Sequence, residues 1–237
     1  IEIDGSIFTN WSNFNLTLQG GWDGTATGNV SGASDFSIAL SVINWSGSVT
    51  LNQIAISNTA GTGLEVSTDG DIVLEDVSSS DNGGYGAELN STAGSITLNG
   101  TNAFNNNVDT GLYADANGDI QANNVTASDN GAYGAELYSL NDVVLTGTNI
   151  FTGNTDSGVY AEATGNIEAE NVTASSNDGN GAEFNSLNDV ILTGTNEFRD
   201  NANSGLYVET GNNIDAENIT ANGNGGSGAE LYSVSDV

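Results

Sequence analysis

Short apolar pairs split by one polar residue recur along most of the chain, as in Leu64 with Val66, Ala87 with Leu89, Leu112 with Ala114 and Ala135 with Leu137. Such alternation puts both members on one face of a β-strand, and the Gly, Asn and Asp between pairs mark turns. Each pair follows a glycine, at Gly63, Gly86, Gly111, Gly134, Gly158, Gly181, Gly205 and Gly228. A second pair comes next in each step, for example Ile72 with Leu74, Ile96 with Leu98 and Val143 with Leu145, then a third inward position occupied by Val77, Phe104, Val125, Phe151, Val172, Phe198 and Ile219. Wherever that position is Phe, a Gly-Thr-Asn insert such as 147–149 precedes it, so alternate units differ.

Three short strands in about 23–24 residues leave no room for a helix or a propeller blade, and fit one coil of a solenoid. The predicted fold is all-β, a parallel β-helix (β-solenoid) with three short strands per coil. Large and small inward residues swap places from coil to coil, which native packing density requires of coils a strand spacing apart. Asn stands four residues before all but the first of the recurring glycines, at Asn82, Asn107, Asn130, Asn154, Asn177, Asn201 and Asn224. Stacked amides donate and accept along a column, which predicts a structural ladder. Residues 1–35 break the rhythm, with Trp11, Phe14, Leu16 and Leu18 ahead of a Gly-rich excursion around Gly24, and are expected to form an atypical lead-in coil. Residues 36–237 form the regular β-helix, with the inward pattern starting near Phe36, Ile38 and Leu40. It shows no cap at its C-terminus, so more solenoid, or stacking on another copy, is expected there. Ile1 follows no leader pattern and reads as an internal or processed start.

Composition narrows the partners. The chain has 237 residues, 31 Asp plus Glu against one base, Arg199, and no His, Cys, Met or Pro, for a formal charge of −30. Nucleic acid and anionic membrane surfaces need several Lys or Arg, so both are excluded, and no apolar run is long enough to insert in a bilayer. Thiolate and imidazole metal sites are excluded, and no cofactor is required; calcium is the candidate ion.

The repeats Gly-Ala-Glu-Leu-Tyr-Ser-Leu-Asn-Asp-Val (134–143) and Gly-Asp-Ile-Gln-Ala-Asn-Asn-Val-Thr-Ala-Ser (118–128) resemble the right-handed parallel β-helix group, pectate-lyase-like in fold. They resemble above all the long Asn- and Gly-rich tracts of secreted bacterial surface and adhesin-like proteins. That resemblance covers roughly residues 36–237 and implies an extracellular, structural or adhesive solenoid that self-associates end to end into filaments or arrays. It also implies that lyases of this fold use acidic calcium ligands with an Arg or Lys base, and galacturonan hydrolases Asp clusters with a His. This chain lacks those bases, so the expectation is that it is not an enzyme. Arg199 reads as an ion-pair partner of Glu197 or Asp200.

The alternative is a carbohydrate-binding surface, with a polysaccharide lyase or hydrolase third. Its candidate contacts are the outward residues Tyr113, Tyr160, Tyr207, Glu88, Glu136 and Glu183, because rings stack on sugar faces and carboxylates accept sugar hydroxyls. Tyr138 and Tyr232 widen that surface. Calcium candidates are Asp71, Asp119, Asp142 and Asp189, which with Asp236 share one turn column, although Asp there can equally cap its own turn. Nine Asn-x-Ser/Thr sequons are candidate glycosylation sites, at Asn10, Asn15, Asn29, Asn44, Asn90, Asn99, Asn124, Asn171 and Asn218.

Overall fold

A computed structural model of the chain describes residues 1–22, 28 and 31–235; Gly24, the sequon Asn29 and Asp236 lie outside them. The described residues form strands and turns with no helix, and the strands stack into three parallel sheets of ten, nine and nine strands. Each full coil gives one strand to each sheet. In one coil these are the strands Ala135–Ser139, Val143–Thr146 and Asn149–Thr152. Inward side chains alternate with half-exposed ones along every strand of this coil, which is why the apolar pairs are spaced by two.

Between coils the register interleaves volumes. In the first sheet Leu112 lies opposite Ala135 and Ala114 opposite Leu137, and one coil on Leu137 lies opposite Ala161. All five are fully or almost fully buried. The third sheet obeys the same rule in a way the spacing concealed. Phe and Val do not share a column there: Asn149 lies opposite Val172 and Asn196 opposite Ile219, while Phe151 and Phe198 flank Ala174. The Asn of each insert takes the Val height and moves Phe two residues on, where the facing Ala leaves room for a ring. These asparagines are buried with their hydrogen bonds met. Asn149 Oδ1 accepts the Val125 N–H at 3.0 Å and its Nδ2 donates to the Thr146 carbonyl at 2.9 Å.

The predicted ladder runs the length of the third turn. Asn82 Nδ2 donates to Asn107 Oδ1 at 3.1 Å, and the same bond recurs at 3.0–3.1 Å through Asn130, Asn154, Asn177 and Asn201 to Asn224. Each Oδ1 also accepts the backbone N–H of the preceding rung, as Asn154 does from Asn130 at 3.0 Å. Gly134 follows one rung, and a Cβ there would meet the Gly158 carbonyl at 2.4 Å, so the turn needs glycine.

The lead-in is itself a coil. β1 (Glu2–Asp4), β2 (Leu16–Gln19) and β3 (Ser34–Phe36) each join one sheet, with an excursion between the first two. The excursion closes over buried Trp45, whose indole N–H donates to the Phe14 carbonyl at 2.9 Å, and leaves Trp11 and Phe14 exposed. Ile38 is exposed too, so the first regular inward residue after it is Leu40.

Candidate functional site

Alternation that buries the apolar residues of the first sheet leaves two outward residues per strand, and the parallel register stacks them into two columns. The first column reads Glu65, Glu88, Tyr113, Glu136, Tyr160, Glu183, Tyr207 and Glu230. The second reads Ser67, Asn90, Asp115, Tyr138, Glu162, Asn185, Glu209 and Tyr232. From Asp115 onward, every coil carries one acid, and the acid changes column at each step.

In four coils a tyrosine and a glutamate two residues apart on this face bond to each other. Tyr138 O–H donates to Glu136 Oε1 at 2.7 Å and Tyr160 O–H to Glu162 Oε2 at 2.9 Å; Tyr207 with Glu209 and Tyr232 with Glu230 repeat the pair at 3.3 Å. Between coils the rings touch diagonally, with centroids 5.7 Å apart for Tyr113–Tyr138 and 5.6 Å for Tyr138–Tyr160 and Tyr207–Tyr232. Burial, then the hydrogen bond and charge of Glu136, push the Tyr138 phenol well above its ordinary pKa. Burial is also the main cause of the upward shifts of Tyr113, Tyr160 and Tyr207. The phenols therefore stay neutral O–H donors.

Over this face lies a groove of about 610 Å³, walled by Tyr138, Tyr207, Glu162, Glu183, Glu209 and an apolar rim. Leu140, Leu187 and Val234 form that rim, one in every second coil, and all three are exposed. Of the residues the sequence placed on this surface, Tyr138, Tyr207 and Glu183 line the groove; Tyr160 reaches it through its bond to Glu162. Tyr113, Glu88 and Glu136 extend the same face beyond it. Most of the second column and the rim are absent from those candidates, because the glycine motif marks only the first outward residue of each strand; their signal lies two and four positions further along the chain.

Glu65 and Glu88 break the alternation, since two acids lie directly opposite each other. Burial and then the Glu65 charge raise the Glu88 carboxyl above the usual range, and the Ser41 hydroxyl donates to Glu65 Oε2 at 2.8 Å.

The Asp column lies in the first turn and caps backbone. Asp71 Oδ1 accepts the Ser95 N–H at 3.0 Å, Asp119 Oδ1 that of Asp142 at 3.4 Å, Asp142 Oδ1 that of Asn166 at 2.7 Å and Asp189 Oδ1 that of Asn213 at 3.0 Å. Among the described residues no three acids converge as a metal set. Among the sequons, Asn44, Asn124, Asn171 and Asn218 sit at positive φ, and the Oδ1 atoms of Asn124 and Asn171 accept the N–H groups of Thr148 at 3.0 Å and Thr195 at 2.9 Å. Asn10, Asn15, Asn44, Asn99 and Asn218 are exposed, and Asn90 is half-buried on the first-sheet face. Arg199 pairs with Glu197 at 3.0 Å on the third sheet.

A family model described as the right handed beta helix region matches residues 110–237. No curated protein matches the chain. Among solved structures, the A-module of Azotobacter vinelandii mannuronan C-5 epimerase AlgE4 is similar at a TM-score of 0.60 and 18% identity, over 94% of this chain and 72% of that one. The A-module of Azotobacter vinelandii mannuronan C-5 epimerase AlgE6 is similar at 0.54 and 16%, over 94% and 71%. At these identities the likeness is one of fold. Both neighbours are nevertheless modules of enzymes, which corrects the expectation that this chain is not one. That expectation rested on missing His and Lys, and their absence is no ground for denying catalysis to a scaffold that carries it in similar structures.

Proposed function

The chain belongs to the right-handed β-helix family, and from that premise we propose that it recognises polysaccharide along the outer face of its first sheet. The observation that carries the reading is the groove of about 610 Å³, in which tyrosine rings, aliphatic side chains and carboxylates converge. A pyranose offers an apolar face and a belt of hydroxyls. The rings and Leu140 and Leu187 meet the first, and Glu162, Glu183 and Glu209 accept from the second. Two coils, roughly 10 Å, separate successive rim residues, so the groove suits a chain lying along the solenoid rather than across it.

The enzymes among the structural neighbours favour a second reading on the same face, in which bound polysaccharide is also modified. A rod holding glycan along its length serves adhesion as well, and we place the protein at the cell exterior, where such polymers lie.

Affinity electrophoresis against neutral, amino and uronic polysaccharides tests binding. Retardation by at least one polymer is expected, weakened about three- to tenfold in dissociation constant by Tyr160→Ala or Tyr207→Ala, as loss of one stacking ring predicts. Equal migration in every gel would falsify the reading. Proton spectra of oligosaccharides incubated with the protein test modification, and unchanged spectra remove the second reading alone.

A further inference from the structure

The rest of the molecule offers less than this face does. The Asp column is used by its turns, and nothing on the exposed Trp11 and Phe14 excursion indicates an occupant. The face itself still holds an unexplained regularity, the alternation of its acids. Taken with the polysaccharide reading, on which this step rests, that regularity specifies the sugar.

Asp115, Glu136, Glu162, Glu183, Glu209 and Glu230 trace a zigzag, one acid per coil and alternately in the second and first column. The only base in the chain, Arg199, lies on the third sheet in its own ion pair and does not face them. A uronan would set a second row of carboxylates against this row, and like charges at such range repel. A chain with one positive group per sugar would be attracted instead.

Geometry selects the linkage. In an extended β-1,4-linked chain each pyranose is turned over relative to the last, so a substituent on the ring points alternately left and right. Such a chain also advances per sugar by close to one strand spacing, roughly 5 Å. Sugars in step with coils would then present alternate substituents to alternate columns. The tyrosine zigzag is complementary, with Tyr138, Tyr160, Tyr207 and Tyr232 in the column that the acid of their coil leaves open. Tyr138, Tyr160 and Tyr207 each donate to one oxygen of Glu136, Glu162 and Glu209 and orient the carboxylate so that its other oxygen faces the ligand, while at Glu230 that second oxygen accepts the Ser204 hydroxyl at 2.6 Å.

We infer that the face binds a β-1,4-linked amino polysaccharide, its protonated 2-amino groups paired one per coil with the zigzag of carboxylates and its rings resting on the tyrosines. The same charges oppose a uronan on this face.

Calorimetric titration of the whole chain at mildly acidic pH and low salt, with hexamers of β-1,4-glucosamine, β-1,4-N-acetylglucosamine and β-1,4-mannuronate and with hexalysine, separates the outcomes. The glucosamine hexamer is expected to bind at least about tenfold more tightly than its acetylated form, as two or more exposed charge pairs predict. The mannuronate should bind least. Glu162→Gln and Glu183→Gln should each cost the glucosamine hexamer about two- to fivefold and leave the acetylated one nearly unchanged. Glu168→Gln, exposed on the second sheet, should change neither. Equal binding of the two glucosamine series overturns the inference while leaving polysaccharide recognition intact. Hexalysine binding as tightly as the glucosamine hexamer also overturns it, in favour of a basic protein partner. Silence of all three sugars removes the inference, and the electrophoresis against the wider set of polysaccharides then decides the reading beneath it separately.

Discussion

Glu88 is the residue whose surroundings cost the fold most visibly. It faces Glu65 across one strand spacing, with Tyr113 on its other side and Tyr85 nearby, while the one base of the chain sits on another sheet. Its pKa is raised in the folded chain, so the native state holds the proton more tightly than the unfolded one. Stability on its account is full below the ordinary glutamate value of about 4.3 and is lost as pH rises through the folded pKa. Glu88→Gln should therefore raise the melting temperature at pH 7, with the gain shrinking toward zero near pH 4, in scans across that range. An unchanged melting temperature at pH 7 would mean that solvent already screens the pair. Tyrosines titrate in the same sense at the alkaline end, where loss of the phenolic protons should destabilise the chain as pH rises past about 10. Glu88 was legible in the sequence as an outward residue. That Glu65 lies directly opposite it needed the register.

Strands and turns here are held by neighbours above and below rather than by their own length. Asn154 shows the consequence, since it bonds Asn130, Asn177 and the Ala127 carbonyl at once. Asn154→Ala would orphan several buried polar groups and should lower stability by about 2–5 kcal/mol in urea titration. The same change at Asn224, the last rung, should cost less, because fewer bonds converge there. Phe151 fills the space left by Ala174, and Phe151→Ala should cost roughly 3–5 kcal/mol, as emptying a ring site in a closed core does. Phe151→Val would sink the column assignment if it were neutral. The ladder was visible in the sequence because its rungs are one residue type at one offset. The Phe–Ala column was not, because an insert of three residues shifts register without disturbing the apolar count.

On the scale of the whole molecule the formal charge of −30 is spread over a rod with one base, and repulsion among its acids opposes the folded state. Added sodium chloride should raise the melting temperature, most steeply below about 0.15 M, where the screening length is still longer than a coil spacing; a flat response would show the acids to be too far apart to interact. By itself the sequence determined the coil, its length, the inward columns of the first two strands and the Asn ladder, because stacking identical units makes periodicity in sequence and periodicity in space the same thing. Only the tertiary structure decided that Glu162, Glu209 and the rim of Leu140 and Leu187 join the tyrosines already read as one outward surface, and that the acids alternate between columns. Those relations join residues of different coils, and the register that brings them together is set by inserts and buried side chains elsewhere in the coil.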